Sequence, residues 1–199
     1  MRNRTAWIIA CLIMSGSSLA AEEPAKPAAK PAMSSDAADI KLAMSAGPSD
    51  ISKGATITTM SADGQMKTLR KGTNGWMCMA KPEAMCLDKE WQGWADAWMS
   101  KKDPSVKGVG IAYMLRGDQG ASNTDPFANA PTADNAWIVS PPHIMVLSPD
   151  TKLLDALPTD PNTGGPWVMW KGTKYAHIMV PTTPMPKVKK AAAAEPAAK

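Results

Sequence analysis

The chain has two histidines, and each begins the same tetrapeptide, His-Ile-Met-Val. Successive side chains of a β-strand point to opposite faces, so His143 shares a face with Met145, and His177 shares a face with Met179. If the two segments are neighbouring strands, two imidazoles and two thioethers meet. Imidazole and thioether are ligands that select soft Cu(I). These four residues therefore predict a copper site.

The same pattern also has an interpretation without a metal. Methionine is a common filler of hydrophobic cores, and the 15 methionines of the chain are scattered rather than arranged in short repeats. His143 and His177 are then histidines of two buried strands, with hydrogen-bond partners of their own. The copper interpretation resembles, in its ligand chemistry, the His/Met/Trp sites of small periplasmic copper chaperones. It places Trp170 over the ion as a cation–π partner.

A hydrolase-type enzyme is a further alternative. The chain has no G-x-S-x-G, no H-E-x-x-H and no glycine-rich phosphate loop. Catalysis by either histidine needs a carboxylate within hydrogen-bond reach of the ring. Residues 51–185 carry 13 basic and 12 acidic side chains without a basic stripe, which argues against nucleic-acid binding. The favoured function is a non-enzymatic binding or structural domain.

The first twenty residues have the three parts of a secretory signal peptide. Arg2 and Arg4 form a positive start, an apolar run follows at residues 6–14, and residues 18–20 form a small-residue cleavage site. The apolar run is shorter than the about 20 residues that a membrane span needs, and no later stretch is long enough. We expect an exported protein without a transmembrane segment, located in the bacterial periplasm or outside the cell.

Cysteine usage agrees with export. Cys78 and Cys86 remain once the predicted signal peptide is removed, and an even pair in an oxidising compartment is typical of a disulfide. The alternative is a thiolate metal site, because methionines crowd both cysteines. The compartment favours the disulfide, which closes a small loop and stabilises the fold by roughly 2–3 kcal/mol.

Both ends of the chain have a low-complexity composition. Residues 21–50 are predicted to be an Ala/Pro/Lys-rich linker with a short helix from Asp36 to Pro48, and residues 186–199 a disordered basic tail. The tail is either a solvated tether or makes a weak contact with an anionic envelope surface. Residues 51–185 have the length of one globular domain.

Within that domain, the pattern predicts strands joined by short turns. Asp63-Gly64 is typical of a hairpin between strands at 55–60 and 66–71, and a third strand at 76–79 completes a three-stranded meander. Further strands are predicted at 107–115, 137–139 and 143–147, and in a hairpin from 167 to 181. The fold class is therefore α+β, a single domain built mainly on an antiparallel sheet.

A helix is predicted after the N-cap residue Asp88, with tryptophan repeated on one face. Trp91, Trp94 and Trp98 could stack against sugars, but an amphipathic helix normally buries such a stripe, so we expect it in the core. The strand at 107–115 has small residues on one of its faces, which leaves room for large side chains. We expect the tryptophan helix to pack against that face.

The last hairpin is predicted to turn at Gly172-Thr173. A tight turn there places Lys171 opposite Lys174, which pairs Val168 with His177. This register puts Trp170 on the same face as the histidine.

A long polar segment, from Gly117 to Asn135, carries no clear signal for a strand or a helix. Loops of this length are often functional, but the spacing of its oxygen-bearing side chains matches no calcium loop. We expect a solvated loop.

Four stretches of the chain resemble a family of exported bacterial proteins that has no assigned activity. They are GTNGWMCM, MCLDKEWQGWADAWM, SNTDPFA and GGPWVMWKGTKYAHIMVP. The resemblance extends over about residues 51–181. It implies a location in the bacterial envelope and a shared fold, and it assigns no catalytic or binding residue.

Overall fold

The computed structural model describes residues 35–186, which combine helices and strands around one large sheet. The predicted signal peptide at 1–20, the first part of the predicted linker and the tail from residue 187 onward lie outside the described residues. The predicted fold class is confirmed: the eight-stranded sheet is mainly antiparallel, and a tryptophan-rich helix packs on it. No helix of residues 35–186 is long and apolar enough to cross a membrane.

The elements of the described residues are short. The helices are α1 (Ser35–Met44), α2 (Ser49–Ser52) and α3 (Lys89–Met99), with 3-10 turns at Thr151–Leu154 and Pro161–Thr163. The strands are β1 (Thr56–Met60), β2 (Met66–Arg70), β3 (Met77–Met79), β4 (Met85–Leu87), β5 (Gly110–Met114), β6 (Ala121–Ser122), β7 (Trp137–Ile138), β8 (His143–Leu147), β9 (Trp167–Met169) and β10 (His177–Pro181). The large sheet has the order β2-β1-β3-β4-β5-β8-β10-β9, and β6 pairs with β7 separately.

The predicted hairpin of β1 and β2 is present, but the predicted three-stranded meander is wrong. Strand β3 lies beside β1 and parallel to it, with Ile57 opposite Cys78. Gly72 allows the chain to pass close to β1: its N–H donates to Thr56 Oγ1 at 3.1 Å, and a Cβ there would lie 2.2 Å from backbone atoms. The reason is burial. Strand β3 is mostly buried and β2 mostly exposed, so β3 takes the inner position and β2 the edge.

Helix α3 packs on one face of the sheet and carries its tryptophans into the core, as predicted. Asp88 caps the helix by accepting a hydrogen bond from the Trp91 N–H at 2.9 Å, and its second oxygen accepts one from the N–H of Ile111 at 2.5 Å. The carboxylate therefore ties α3 to β5. Gly110 permits the close approach, because a Cβ there would lie 3.0 Å from the Cβ of Glu90.

Helix α1 and the disulfide lie on the opposite face of the sheet. Cys78 and Cys86 are directly opposite each other on β3 and β4, and their sulfurs are bonded, which confirms the predicted disulfide. Around them Ala43 of α1 and Ile57 of β1 are fully buried. The short helix lies in the stretch predicted as a linker, so packed structure is present before residue 51.

The last hairpin has a register that differs by one residue from the predicted one. His177 lies opposite Met169 rather than Val168. The difference arises at Trp170, which has a left-handed backbone with φ of 57° and leaves the strand before the turn. A shift by one residue exchanges the two faces of a strand, so Met169 and Trp167 now share the face of His177.

Candidate metal site

The two His-Ile-Met-Val segments form adjacent strands. β8 and β10 pair antiparallel, and Met145 lies directly opposite Met179. Because the strands run in opposite directions, His143 and His177 lie at opposite ends of this methionine pair, two residues from it along each strand. All four side chains are buried on the sheet face that α3 covers. The structure therefore brings together the four residues that the repeat singled out.

The four residues line one cavity of about 180 Å³ between the sheet and α3. Its wall is mostly apolar and is formed by aromatic and thioether side chains. Among its 17 lining residues are the four tryptophans Trp91, Trp94, Trp98 and Trp170 and the five methionines Met85, Met114, Met145, Met169 and Met179. A space of this size accommodates a metal ion with its ligands turned inward, or a few water molecules of about 30 Å³ each.

Both histidines are held by the same kind of backbone contact. His143 Nδ1 lies 2.7 Å from Pro141 O, and His177 Nδ1 lies 3.0 Å from Tyr175 O. A carbonyl oxygen only accepts hydrogen bonds, so Nδ1 carries the proton and Nε2 keeps its lone pair. His143 Nε2 is buried and has no hydrogen-bond partner among the described residues. A buried acceptor without a partner costs free energy, which favours a bound water molecule or a ligand at this nitrogen.

Burial keeps both imidazoles neutral at neutral pH. It lowers the pKa of His177 to about 4. The hydrogen bond to Tyr175 O acts to raise this pKa, and a charge on His143 acts to lower it. Burial also lowers the pKa of His143, while Pro141 O and the charge of Asp118 act in the opposite direction. Neutral imidazole is the form that binds metals, so no proton has to leave before Nε2 can act as a ligand.

Three tryptophan rings surround His177. The ring centroids of Trp170, Trp91 and Trp94 lie 5.0, 5.3 and 5.6 Å from the centroid of the imidazole, and all three rings are nearly perpendicular to it. The Trp170 indole is fixed by its Nε1–H, which donates to Ser122 O at 2.6 Å. The tryptophan that was expected near the metal ligands therefore lies beside one of the two histidines, in spite of the shifted register.

The segment at residues 117–135 is more ordered than the predicted solvated loop. Ser122 is 1% exposed and forms β6, which pairs with β7. Besides the bond from Trp170 to Ser122 O, Pro126 O accepts a hydrogen bond from Trp98 Nε1–H at 2.9 Å. The segment is therefore bonded to two of the tryptophans that line the cavity.

Sequence reasoning missed three of the methionines that line the cavity, namely Met85, Met114 and Met169. Met114 lies directly opposite His143, and Met169 lies directly opposite His177. Directly opposite residues have Cβ atoms about 4.5–5.5 Å apart, so each histidine has a methionine on a neighbouring strand as well as on its own. Met114 could have been predicted, because the alternation of side chains along β5 puts it on the same face as the small residues on which α3 packs.

The donors of the cavity restrict the metals that it could hold. Within residues 35–186, no three His, Cys, Asp or Glu side chains form a group that could hold a metal ion. A metal with three or more ligands in this cavity therefore needs thioether sulfur among them, and thioether sulfur favours soft ions. The Nδ1 atoms of His143 and His177 are hydrogen-bonded to backbone carbonyls, those of Pro141 and Tyr175.

Fold and cavity together define an α+β domain with a largely apolar internal pocket of imidazole, thioether and indole side chains. No protein-family model, no curated protein and no solved structure matches the chain.

Proposed function

We propose that the protein is an exported bacterial binding protein that holds one soft monovalent metal ion, Cu(I), in the cavity beneath α3. The ligands are Nε2 of His143 and His177 and the sulfurs of Met145 and Met179. One observation carries the proposal: the buried Nε2 of His143 has no partner among the described residues, and this histidine lines a cavity together with five methionines.

The charge of the ligands favours a monovalent ion. All four are neutral, so a bound ion keeps its full charge in apolar surroundings. The cost of moving an ion from water to a medium of low dielectric constant grows with the square of its charge, so a divalent ion is roughly four times as costly to bury. Ca²⁺ and Mg²⁺ also require oxygen ligands. Soft Cu(I) matches both the charge and the ligand type.

The histidines and the methionines contribute differently to such a site. Metal-binding histidines commonly donate their second ring N–H to a carbonyl or carboxylate, which orients the ring, and Pro141 O and Tyr175 O occupy that position here. Methionine has three rotatable bonds and a polarizable sulfur, so Met145 and Met179 can turn toward an ion while the strands stay in place. The fixed nitrogens set where an ion can bind, and the adaptable sulfurs can turn toward it.

The tryptophans around His177 provide a further attraction for a cation. A cation within about 6 Å of the centroid of an indole gains ~0.5–2 kcal/mol, and the larger values apply to sites without water. The centroid of Trp170 lies 5.0 Å from that of His177, so this indole is the nearest of the three to the imidazole.

Export is supported by two features. The N-terminal residues have the charged, apolar and small-residue parts of a signal peptide. The folded domain contains the disulfide between Cys78 and Cys86, and disulfides persist mainly in oxidising compartments such as the periplasm and the cell exterior.

Native mass spectrometry with Ag(I), a soft monovalent substitute for Cu(I), tests the proposal on the chain without its predicted signal peptide. One ion should bind per chain. The double variant Met145→Leu/Met179→Leu should lose the ion, because leucine keeps the volume and removes the sulfur. Met79→Leu is the matched control, since Met79 is 7% exposed and does not line the cavity. A double variant that binds Ag(I) as well as the control does would contradict the metal site.

A small organic ligand is the second candidate, and Trp91 favours it. Trp91 Nε1 is a buried donor without a partner among the described residues, and it lines the same cavity as the acceptor His143 Nε2. A largely apolar molecule with one acceptor and one donor could satisfy both groups. Thermal unfolding in the presence of small heteroaromatic compounds tests this function. Trp91→Phe should weaken such a ligand, and Met145→Leu/Met179→Leu should not.

A further inference from the structure

Two carboxylates lie at one end of the cavity. Glu83 and Asp118 are the charged residues of a lining that is otherwise neutral among the described residues. Both also line an adjoining surface depression of about 250 Å³. The two carboxylates are therefore located between the cavity and the surface.

Each carboxylate is oriented by a backbone N–H. Glu83 Oε1 accepts a hydrogen bond from the Gln119 N–H at 3.2 Å, and Asp118 Oδ1 accepts one from the Ser140 N–H at 2.7 Å. These contacts fix one oxygen of each group and leave the second oxygen for a cation. The pair is preorganised for binding, because the orienting groups belong to the backbone rather than to mobile side chains.

Asp118 is close enough to act electrostatically on Glu83. Burial raises the pKa of Glu83, the Gln119 N–H acts against this, and the charge of Asp118 adds to it. Asp118 also lines the cavity together with His143, so the two carboxylates lie between the surface depression and the buried imidazole.

We propose that Glu83 and Asp118 form a cation entrance, a transient oxygen-ligand site through which a metal ion passes from the surface depression to His143. This inference rests on the proposed metal site. His143, which is 0% exposed and has an unpartnered Nε2, supplies the acceptor on the inner side. Oxygen ligands hold Cu(I) and Ag(I) less tightly than nitrogen and sulfur, so the ion continues inward.

The positions of the charged side chains determine how much they change the association rate of a metal ion. Clefts lined by one sign of charge with walls of low dielectric constant raise association rates by about 10- to 1,000-fold. Arg116 lines the surface depression but not the cavity, and its charge opposes an arriving cation. The carboxylates and Arg116 therefore predict kinetic effects of opposite sign, and Arg116 serves as the matched control.

Stopped-flow association of Ag(I), followed by tryptophan fluorescence in chloride-free buffer, tests the entrance. Glu83→Gln and Asp118→Asn each retain the oxygen that accepts the backbone hydrogen bond. In the double variant we expect an association rate constant about tenfold lower, with a weaker dependence on ionic strength and one Ag(I) still bound per chain. The dissociation rate constant should fall with it, so that Kd changes less than the rate. Arg116→Gln should associate about twofold faster.

Two results would overturn the entrance and leave the metal site intact. The first is a double variant that associates at the wild-type rate. The second is a loss of affinity that appears in the dissociation rate constant alone, because it would make the carboxylates part of the final site. A wild-type protein that binds no Ag(I), in this experiment and by native mass spectrometry, would overturn the metal site and the entrance together.

Discussion

Met145 and Met179 lie directly opposite each other on β8 and β10, and a histidine lies two residues from each of them along its own strand. Antiparallel pairing places the two thioethers at the centre of the arrangement and the two imidazoles at its ends. Neither tetrapeptide forms a site on its own, because a single strand offers only one imidazole and one thioether on each face. The pairing of the two strands creates the candidate site.

Ag(I) should bind the histidines through Nε2 and leave Nδ1 protonated. Nδ1 of His143 and of His177 donates to Pro141 O and Tyr175 O, and a metal at that nitrogen would displace both hydrogen bonds. Long-range ¹H–¹⁵N NMR spectra distinguish the two ring nitrogens, and only the Nε2 resonances should show a large shift on binding. Coordination through Nδ1 would show that the hydrogen bonds of the metal-free protein do not select the ligand atom.

The metal-free protein should become less stable as the pH falls below 6.5. The ordinary pKa of histidine is 6.5, and that of His177 in the fold is about 4, so the unfolded chain binds more protons between these values. The stabilisation is complete above pH 6.5 and decreases as the pH falls toward 4, by up to about 1.4 kcal/mol per pH unit for this histidine. The lowered pKa of His143 acts in the same direction.

Urea unfolding at about pH 7, 6 and 5 measures this dependence in the wild type and in His177→Gln. The variant should show a shallower slope of unfolding free energy against pH. Glu83, whose pKa is raised by burial, acts with the opposite sign, but it is present in both proteins and does not affect the comparison. Equal slopes in the two proteins would contradict the assignment of the dependence to His177.

Trp170→Phe should loosen residues 117–135 while the sheet stays folded. The change keeps an aromatic ring but removes the hydrogen bond from Nε1–H to Ser122 O, which contributes about 1 kcal/mol. Amide hydrogen exchange around Ser122 should therefore be about fivefold faster, since ~1.4 kcal/mol corresponds to tenfold. Amides of β1 and β3 serve as the internal control. Unchanged exchange around Ser122 would mean that other contacts hold this segment.

Removing the disulfide should destabilise the fold and preserve the cavity. Cys78 and Cys86 are separated by 8 positions in the sequence, and closing such a loop contributes about 2–3 kcal/mol by the chain-entropy argument. Both cysteines pack with the α1 face of the sheet, and the cavity lies on the α3 face. Cys78→Ala/Cys86→Ala should therefore unfold at lower urea concentration and still bind one Ag(I). Loss of Ag(I) from the folded variant would indicate that the two faces are coupled.

Signals between near neighbours in the sequence predicted most of the elements. Asp88 begins α3, Asp63-Gly64 joins β1 to β2, and the alternation of β8 sets which of its side chains share a face. The packing of α3 on the small-residue face of β5 was also predictable, because small residues leave space that large ones must fill. Each of these features depends on local backbone preferences or on simple complementarity of size.

Strand order and exact register could not be read in the same way. The position of β3 beside β1 depends on which of two strands gains more by burial in the complete sheet. The register of the last hairpin depends on the left-handed backbone of Trp170. The indole of Trp170 is in turn hydrogen-bonded to the carbonyl of Ser122, 48 residues away in the sequence. Contacts between residues so far apart produce no periodic pattern in the sequence.

The sequence by itself determined that His143 shares a face with Met145, and His177 with Met179, because alternation is a property of any extended backbone. Only the tertiary structure decided that β8 and β10 are neighbours, that further methionines and the tryptophans of α3 complete the wall, and that two carboxylates lie at one end of the cavity. These relationships join distant parts of the chain, and the packing of the whole sheet selects them.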